Sequence, residues 1–290
     1  MTLASSRSAL AVQPAPPKIT VEHGFVTFPS SGVPDDRRSQ YYISLLQLAL
    51  DKADSGLLTR ESPIASVNLR TFERMATGNG IDVVWAPTTN QLERDYLPIR
   101  VPLDKGVLGW RIFLVNRADR DKFASVKSLD DLRKLSAGQA GEWVDTQILR
   151  YNGLRVVEST LYENLFRMLS GKRFDYFPRG IAEISGEAAN YEHLGLVVEP
   201  HLALHYPFCT YFFVARSNPA LANLIELGLR RAQKDGSMES LFQQFNGMTV
   251  AAAKLGERRV FELENPTVPP SDTPAQLECR AASAAVGKGH

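Results

Sequence analysis

Three short apolar runs place the strongest limit on what this chain can fold into. Residues 81–86 (Ile-Asp-Val-Val-Trp-Ala), 110–115 (Trp-Arg-Ile-Phe-Leu-Val) and 209–215 (Cys-Thr-Tyr-Phe-Phe-Val-Ala) are too brief for helices. They also lack the alternation of a strand with one wet face, so they read as strands covered on both sides. Such strands need amphipathic helices above and below. Tyr42, Leu45, Leu46 and Ala49 supply one apolar stripe at i, i+3, i+4 and i+7 over 41–53. Leu69, Phe72 and Met75 give a shorter one, and Leu221, Leu224, Ile225 and Leu229 a later one. Gly228 falls in that last stripe, where it weakens the helix and permits close packing.

The punctuation between these pieces agrees. Ser128 with Asp131, and Thr160 with Glu163, have the form of capping boxes. Gly153 and Gly171 stand where those regions' helices should stop in a left-handed residue. Asn218-Pro219 opens a helix with proline at its first position, and Asp235-Gly236-Ser237 breaks it. Strands are expected at 154–158, 174–177 and 195–199. The fold class is α/β with largely parallel sheets.

Composition removes several functions. The chain has 33 basic and 32 acidic side chains among 290 residues, leaving no basic excess for a nucleic-acid backbone. A hydrophobic share of 44% excludes disorder throughout. No apolar run approaches the roughly 18 to 20 residues that span a bilayer. Cys209 and Cys279 are too few for a disulfide scaffold; they either bridge, as an oxidising compartment favours, or stay free thiols. Residues 1–17 are rich in Ala, Ser and Pro, and Ala9-Leu10-Ala11 has the form of a signal-peptidase site. They are either a signal remnant or a flexible leader. At the other end, the prolines from Pro266 onward predict an extended strap and then a disordered tail over 266–290.

Four segments, in order, resemble the extracellular solute-binding proteins of family 3. They are residues 80–94 (Gly-Ile-Asp-Val-Val-Trp-Ala-Pro-Thr-Thr-Asn-Gln-Leu-Glu-Arg), 126–133 running on to Gln139-Ala140-Gly141, 169–176 (Leu-Ser-Gly-Lys-Arg-Phe-Asp-Tyr), and 211–241 from Tyr-Phe-Phe-Val-Ala-Arg-Ser-Asn-Pro through Asp235-Gly236-Ser237. The stretch before residue 65 matches less well. The resemblance implies a two-lobed type 2 periplasmic-binding-protein fold, with two mixed, mostly parallel sheets joined by hinge crossovers near 111–116 and 208–213. Lobe I would comprise 18–112 and 213–265, and lobe II 113–212.

The same resemblance implies a ligand cleft between the lobes. It places Thr88, Thr89 and Arg94 on a ligand carboxylate, and Gln139, Ala140, Gly141 and Thr146 in the opposing loop. Amino-acid binders of this family carry an acidic residue where Gly180 stands here, preceded by Arg179. A cation there repels an ammonium group and favours an anionic organic solute, with Arg94 and Arg179 facing one cleft from opposite lobes. Glu183 or Glu142 could restore the acid. Trp143, set between polar residues, is the aromatic best suited to the cleft; Trp85, Trp110 and Phe177 lie in apolar runs and Tyr176 beside them.

His201, His205 and Cys209 have fours spacing, yet on a strand four residues span about 13 Å, so they do not converge on a metal. No phosphate loop, dinucleotide fingerprint or Gly-x-Ser-x-Gly occurs. The expectation is a monomeric, extracytoplasmic solute-binding protein without metal or cofactor, delivering a small anionic or zwitterionic solute to an ABC-type permease. A stand-alone sensor is an alternative. So is a periplasmic dehydratase-like enzyme on the same fold, with Glu142 or Glu183 as general acid.

Overall fold

The computed structural model describes residues 19–30, 37–65, 69–270 and 273–288. The leader expected over 1–17 and the last residues of the tail lie outside them. The chain begins in one lobe with β1 (Phe25–Ser30), α1 (Arg37–Lys52), β2 (Leu58–Ala65), α2 (Leu69–Ala76), β3 (Val83–Pro87), α3 (Asn90–Asp95) and β4 (Leu97–Ile99). It crosses into a second lobe with β5 (Trp110–Asn116), α4 (Leu129–Arg133), β6 (Ser136–Ala140), α5 (Val144–Tyr151), β7 (Arg155–Ser159) and α6 (Tyr162–Ser170). That lobe continues through β8 (Tyr176–Gly180), α7 (Ile184–Asn190), β9 (Leu196–Val198) and β10 (Leu202–His205). The chain returns on β11 (Thr210–Val214), α8 (Pro219–Asp235) and α9 (Ser237–Ala253), then adds β12 (Arg259–Glu262) and α10 (Pro274–Gly287).

The runs at 110–115 and 209–215 are strands buried on both faces, whereas the one at 81–86 gives β3 only from Val83 and is half-buried at Trp85 and Ala86. Along β11, Tyr211 and Phe213 pack with Phe72 and Met75 of α2, while Phe212 and Val214 join the core under α1 and α8. Along β5, Trp110, Ile112 and Leu114 face one core and Phe113 and Val115 the other. Side chains alternate across a strand, so a continuous apolar run serves two cores at once.

The first lobe orders β3-β11-β4, with the parallel pair β1-β2 alongside. Asp82 joins them: its N–H donates to the Thr27 carbonyl and its carboxylate accepts from the Thr27 N–H, both at 2.8 Å. The second lobe orders β12-β10-β5-β8-β6-β7, with β9 also on β5. The second lobe's sheet is mixed and the first lobe's β3-β11-β4 sheet is wholly antiparallel, so the parallel majority expected is not found. Every ladder made by β5 and β11 is antiparallel, because each of these strands enters its lobe from the other one and runs against its neighbours.

The two crossovers meet at Gly109 and Tyr206, a few residues earlier than expected. The Tyr206 N–H donates to the Gly109 carbonyl at 3.2 Å, and a Cβ on Gly109 would lie 2.2 Å from the Tyr206 carbonyl oxygen. Gly228 has a similar role between helices. A Cβ there would come within 1.8 Å of the Ala49 carbonyl oxygen, so α8 approaches α1 only as glycine.

The C-terminal part departs most from expectation. Residues 259–262, assigned above to the first lobe, form β12 on the edge of the second lobe's sheet, in parallel register with β10. A strap then runs back toward α3. Where a disordered tail is expected, 274–287 form a helix, capped by Thr273 and with Pro274 in its first turn. Gln276, Cys279, Ser283 and Val286 are its buried residues, spaced as one helical face. The local prolines precede that helix without interrupting it. Cys279 is bonded to Cys209. The extension therefore adds two further crossings between the lobes to the two at the hinge.

Candidate functional site

Two loops follow strand carboxyl ends and lead into helices, one in each lobe. In the first lobe, β3 gives way to Thr88 and Thr89 before α3. Thr88 is buried; its N–H donates to the Cys209 carbonyl at 2.9 Å and its hydroxyl to Glu93 Oε1 at 2.7 Å. Thr89 is the N-cap, its hydroxyl accepting from the Leu92 N–H at 3.1 Å. The Asn90 N–H donates to the Thr267 carbonyl at 2.8 Å, and Asn90 Nδ2 to the Val268 carbonyl at 3.2 Å. The donors that this helix start exposes are thus given to the strap. Arg94 is exposed and bonds Gln91 on its own helix.

In the second lobe, β6 leads through Gly141 to Trp143 and α5. Ala140 accepts twice, from the Thr146 hydroxyl at 2.7 Å and the Trp143 N–H at 3.1 Å, which folds the loop back on itself. Gln139 is buried with one long bond, Nε2 to the Pro178 carbonyl at 3.5 Å, and its Oε1 has no partner. Trp143 is half-buried. Its ring stacks on Phe177 at 6.3 Å, and the Arg179 guanidinium lies 4.8 Å from its centre.

Buried charges support this loop from behind. Arg179 Nε donates to Glu187 Oε2 at 2.7 Å, and its Nη2 reaches Glu187 Oε1 at 2.7 Å and Glu183 Oε2 at 2.9 Å. Arg111 Nε donates to Asp145 Oδ1 at 2.7 Å, and Tyr206 also donates to that oxygen. Arg111 and Gly180 are register partners on β5 and β8, which sets the two clusters side by side. Burial alone would raise Asp145, but the Arg111 guanidinium overrides it and holds the carboxyl below its ordinary value. Arg179 is likewise desolvated, yet Glu187 and Glu183 keep its acidity even weaker than usual.

Sequence reasoning placed Arg94 and Arg179 opposite each other across a cleft. The structure places Arg179 in a buried ion cluster and Arg94 in solvent, and neither lines either of the two cavities described below. The signal for Arg179 was available: Glu183 and Glu187 stand four and eight residues on, within reach once α7 forms. Glu183 is committed to Arg179 and Glu142 is exposed. Among the described residues no three metal-ligating side chains cluster, and His201, His205 and Cys209 do not converge. His205 instead contacts Glu262 through Nδ1 at 2.6 Å and Ser283 through Nε2 at 2.7 Å.

An open groove of about 590 Å³ does collect part of the expected set. It is lined by Gly141, Glu142, Trp143 and Thr146, by Gln147, Arg150 and Tyr151 further along α5, and by Pro266 of the strap. Of the residues expected to bind, Gly141, Trp143 and Thr146 line it, whereas Thr88, Thr89, Arg94, Gln139, Ala140 and Arg179 do not. Gln147, Arg150, Tyr151 and Pro266 were missed. The first three lie four, seven and eight residues beyond Trp143, so helical spacing could have found them; Pro266 had no local signal. A smaller cavity of about 270 Å³ lies behind the first lobe, between α1, α9 and α10. Its polar residues are already paired, Lys105 with Glu239 and Glu278 with Arg230.

No protein-family model and no curated protein sequence matches the chain. Solved structures do. A Bacillus subtilis structural-genomics protein aligns with a TM-score of 0.54 at 18% identity, covering 77% of this chain and 90% of its own. An ancestral arginine-binding protein bound to arginine gives 0.51 at 16%, covering 78% and 99%. The second substrate-binding domain of GlnP from Lactococcus lactis, in an open conformation, gives 0.51 at 14%, covering 78% and 97%. The chain has the two-lobed type 2 periplasmic-binding fold.

Proposed function

We propose that the chain is a solute-binding protein that holds a small carboxylate-bearing organic molecule in the groove between α5 and the strap. One observation carries this reading: a cavity of about 590 Å³, within the usual range for small-molecule sites, is built on the second lobe's loop and lined by Trp143, Arg150 and Tyr151. Trp143 and Tyr151 offer aromatic walls. Arg150 offers the charge. Its present partner, Glu158 at 2.5 Å, is itself partly exposed, and such surface pairs contribute little, so a ligand carboxylate can displace it.

The fold supports the same reading, since the arginine-binding protein and the GlnP domain share it. A structure with the same fold is described as an ancestral amino-acid-binding protein, a precursor of cyclohexadienyl dehydratase (TM-score 0.50, 16% identity, covering 77% of this chain and 96% of its own). Binding without turnover is our reading, because the carboxylates weighed as general acids are one exposed and one committed to Arg179. The Cys209–Cys279 bond supports an extracytoplasmic, oxidising location. Delivery to an ABC-type permease is the transport role we infer from these points together.

The test is a thermal-shift screen of amino acids, dicarboxylates and aromatic acids against the full chain. At least one carboxylate should raise the melting temperature and be recovered chemically unchanged. Arg150→Ala should lose that shift and Arg94→Ala should keep it. A shift abolished by Arg94→Ala and untouched by Arg150→Ala would move the site to the first lobe. The ligand should also quench fluorescence in the wild type but not in Trp143→Phe.

A further inference from the structure

The C-terminal extension binds both lobes across the mouth and the back of the hinge. At the mouth, Leu263 is buried in the second lobe's core, and Glu264 pairs reciprocally with Asn152 at the end of α5. The Glu264 N–H donates to Asn152 Oδ1 at 3.0 Å, and Asn152 Nδ2 to the Glu264 carbonyl at 2.8 Å. Within four residues the same strand of chain reaches the first lobe, where Asn90 donates to the Thr267 and Val268 carbonyls. Asn265 ties the middle down, its Nδ2 donating to the Pro207 carbonyl of the crossover at 2.8 Å. Pro266, Pro269 and Pro270 stiffen the path, so little conformational freedom is left to oppose the bridge.

At the back, α10 lies over both crossovers. Cys279 is bonded to Cys209 at the second crossover. The Ser283 hydroxyl accepts from Trp110 Nε1 at 3.0 Å, lies 2.7 Å from His205 Nε2, and donates to the Gly106 carbonyl at 3.3 Å. Glu278 meanwhile pairs with Arg230 of α8 at 2.6 Å, on the first lobe. A hinge swings when a few residues absorb the rotation. Here both sides of those residues are fastened to a third segment.

We propose that residues 263–270 and 273–288 form a clasp that fixes the angle between the lobes, and that the lobes swing only when the strap leaves Asn90. The clasp stands on the fold and is independent of which solute the groove takes. It makes the first lobe's helix start at Asn90 available to anything else only in the released state.

The experiment measures an interlobe distance in the full chain. Spin labels go on Met248→Cys in α9 and Leu161→Cys beside α6, both exposed sites. Pulsed electron resonance should return one narrow distance population. A released variant combines Cys209→Ser, Cys279→Ser, Asn90→Pro, which removes both the backbone and the side-chain donor at the first helical position, and Asn152→Ala. It should show a broadened distribution with a second, longer population. A released variant that melts cooperatively yet keeps the single narrow population overturns the clasp. So does a labelled parent that already shows two populations. If the fourfold variant fails to fold, Asn90→Pro with Asn152→Ala alone decides. A second population is expected from it, and an unchanged distribution overturns the proposal.

Discussion

Residues 88–90 and 141–146 hold matching places in the two lobes, each between a strand's carboxyl end and a helix start, yet they are finished in opposite ways. The first is sealed by its own chain: Thr88 bonds Glu93, Thr89 caps α3, and Asn90 is spent on the strap. The second is left open to a groove and is braced from beneath by buried charges. A loop sealed by local bonds needs no buried ion cluster behind it. An open one that must keep its shape does, because nothing on its outer side holds it.

That contrast can be broken most directly at the two arginines. Arg179→Met should destabilise the protein by about 3–5 kcal/mol in urea unfolding, since it leaves Glu187 buried and uncompensated. Arg94→Met, on the exposed face of α3, should stay within about 0.5 kcal/mol. Equal costs would mean that the second loop does not rest on its ion cluster. Next in size is the bond between Cys209 and Cys279. Replacing both by serine should cost about 2–4 kcal/mol.

The fold and the site differ in how much of them could be read in the residues. Strand burial on both faces follows from unbroken apolar runs, and the structure bears this out in β5 and β11. The capping box at Ser128 forms in full, with both reciprocal bonds. The one expected at Thr160 does not: α6 starts a residue later, with Leu161 at its cap and no side-chain bond. Gly153 is left-handed as expected, but at Gly171 the left-handed residue is the neighbouring Lys172. These are local matters, settled within a turn of chain. The site is not local. Nothing near Arg94 says whether its side chain turns toward the cleft, and nothing near Asn90 says that Thr267, far along the chain, will take its amide. Arg179 is a related case: its charge is legible at its own position, but its neutralisation depends on Glu183 and Glu187, which come within reach only once α7 forms.

Two aspartates sharpen the comparison through pH. Asp104, fully buried beside the hinge, has its carboxyl raised by desolvation, against hydrogen bonds from Thr210 and Tyr42. Its native form prefers the proton. Its contribution is therefore fully present below the ordinary aspartate value of about 3.9 and is lost as pH rises above it. Asp145, held below its ordinary value by Arg111 despite burial, has the opposite sign. Its contribution is present above about 3.9 and is lost as pH falls through the native value. Stability measured by unfolding should therefore fall less as pH rises above about 3.9 in Asp104→Asn, and fall less as pH drops below about 3.9 in Asp145→Asn. Matching changes in both variants would remove the distinction. A small effect, between those of the buried ion cluster and of Arg94, is expected at the sealed loop. Thr89→Ala loses a single helix cap, at about 1 kcal/mol, and should leave the groove and any melting shift intact.

The late position of β12 has a consequence for how this chain is made. Its strand completes the second lobe's sheet only after residue 259 has been synthesised, and the first lobe waits for β11 and α8 in the same way. Neither lobe is a continuous stretch, so neither can finish folding while the ribosome still holds the rest. Cys209, too, must stay unbonded until Cys279 arrives, 70 residues later. Each lobe therefore waits on a different late piece, the first on residues 210–235 and the second on residues 259–262, and the disulfide closes after both.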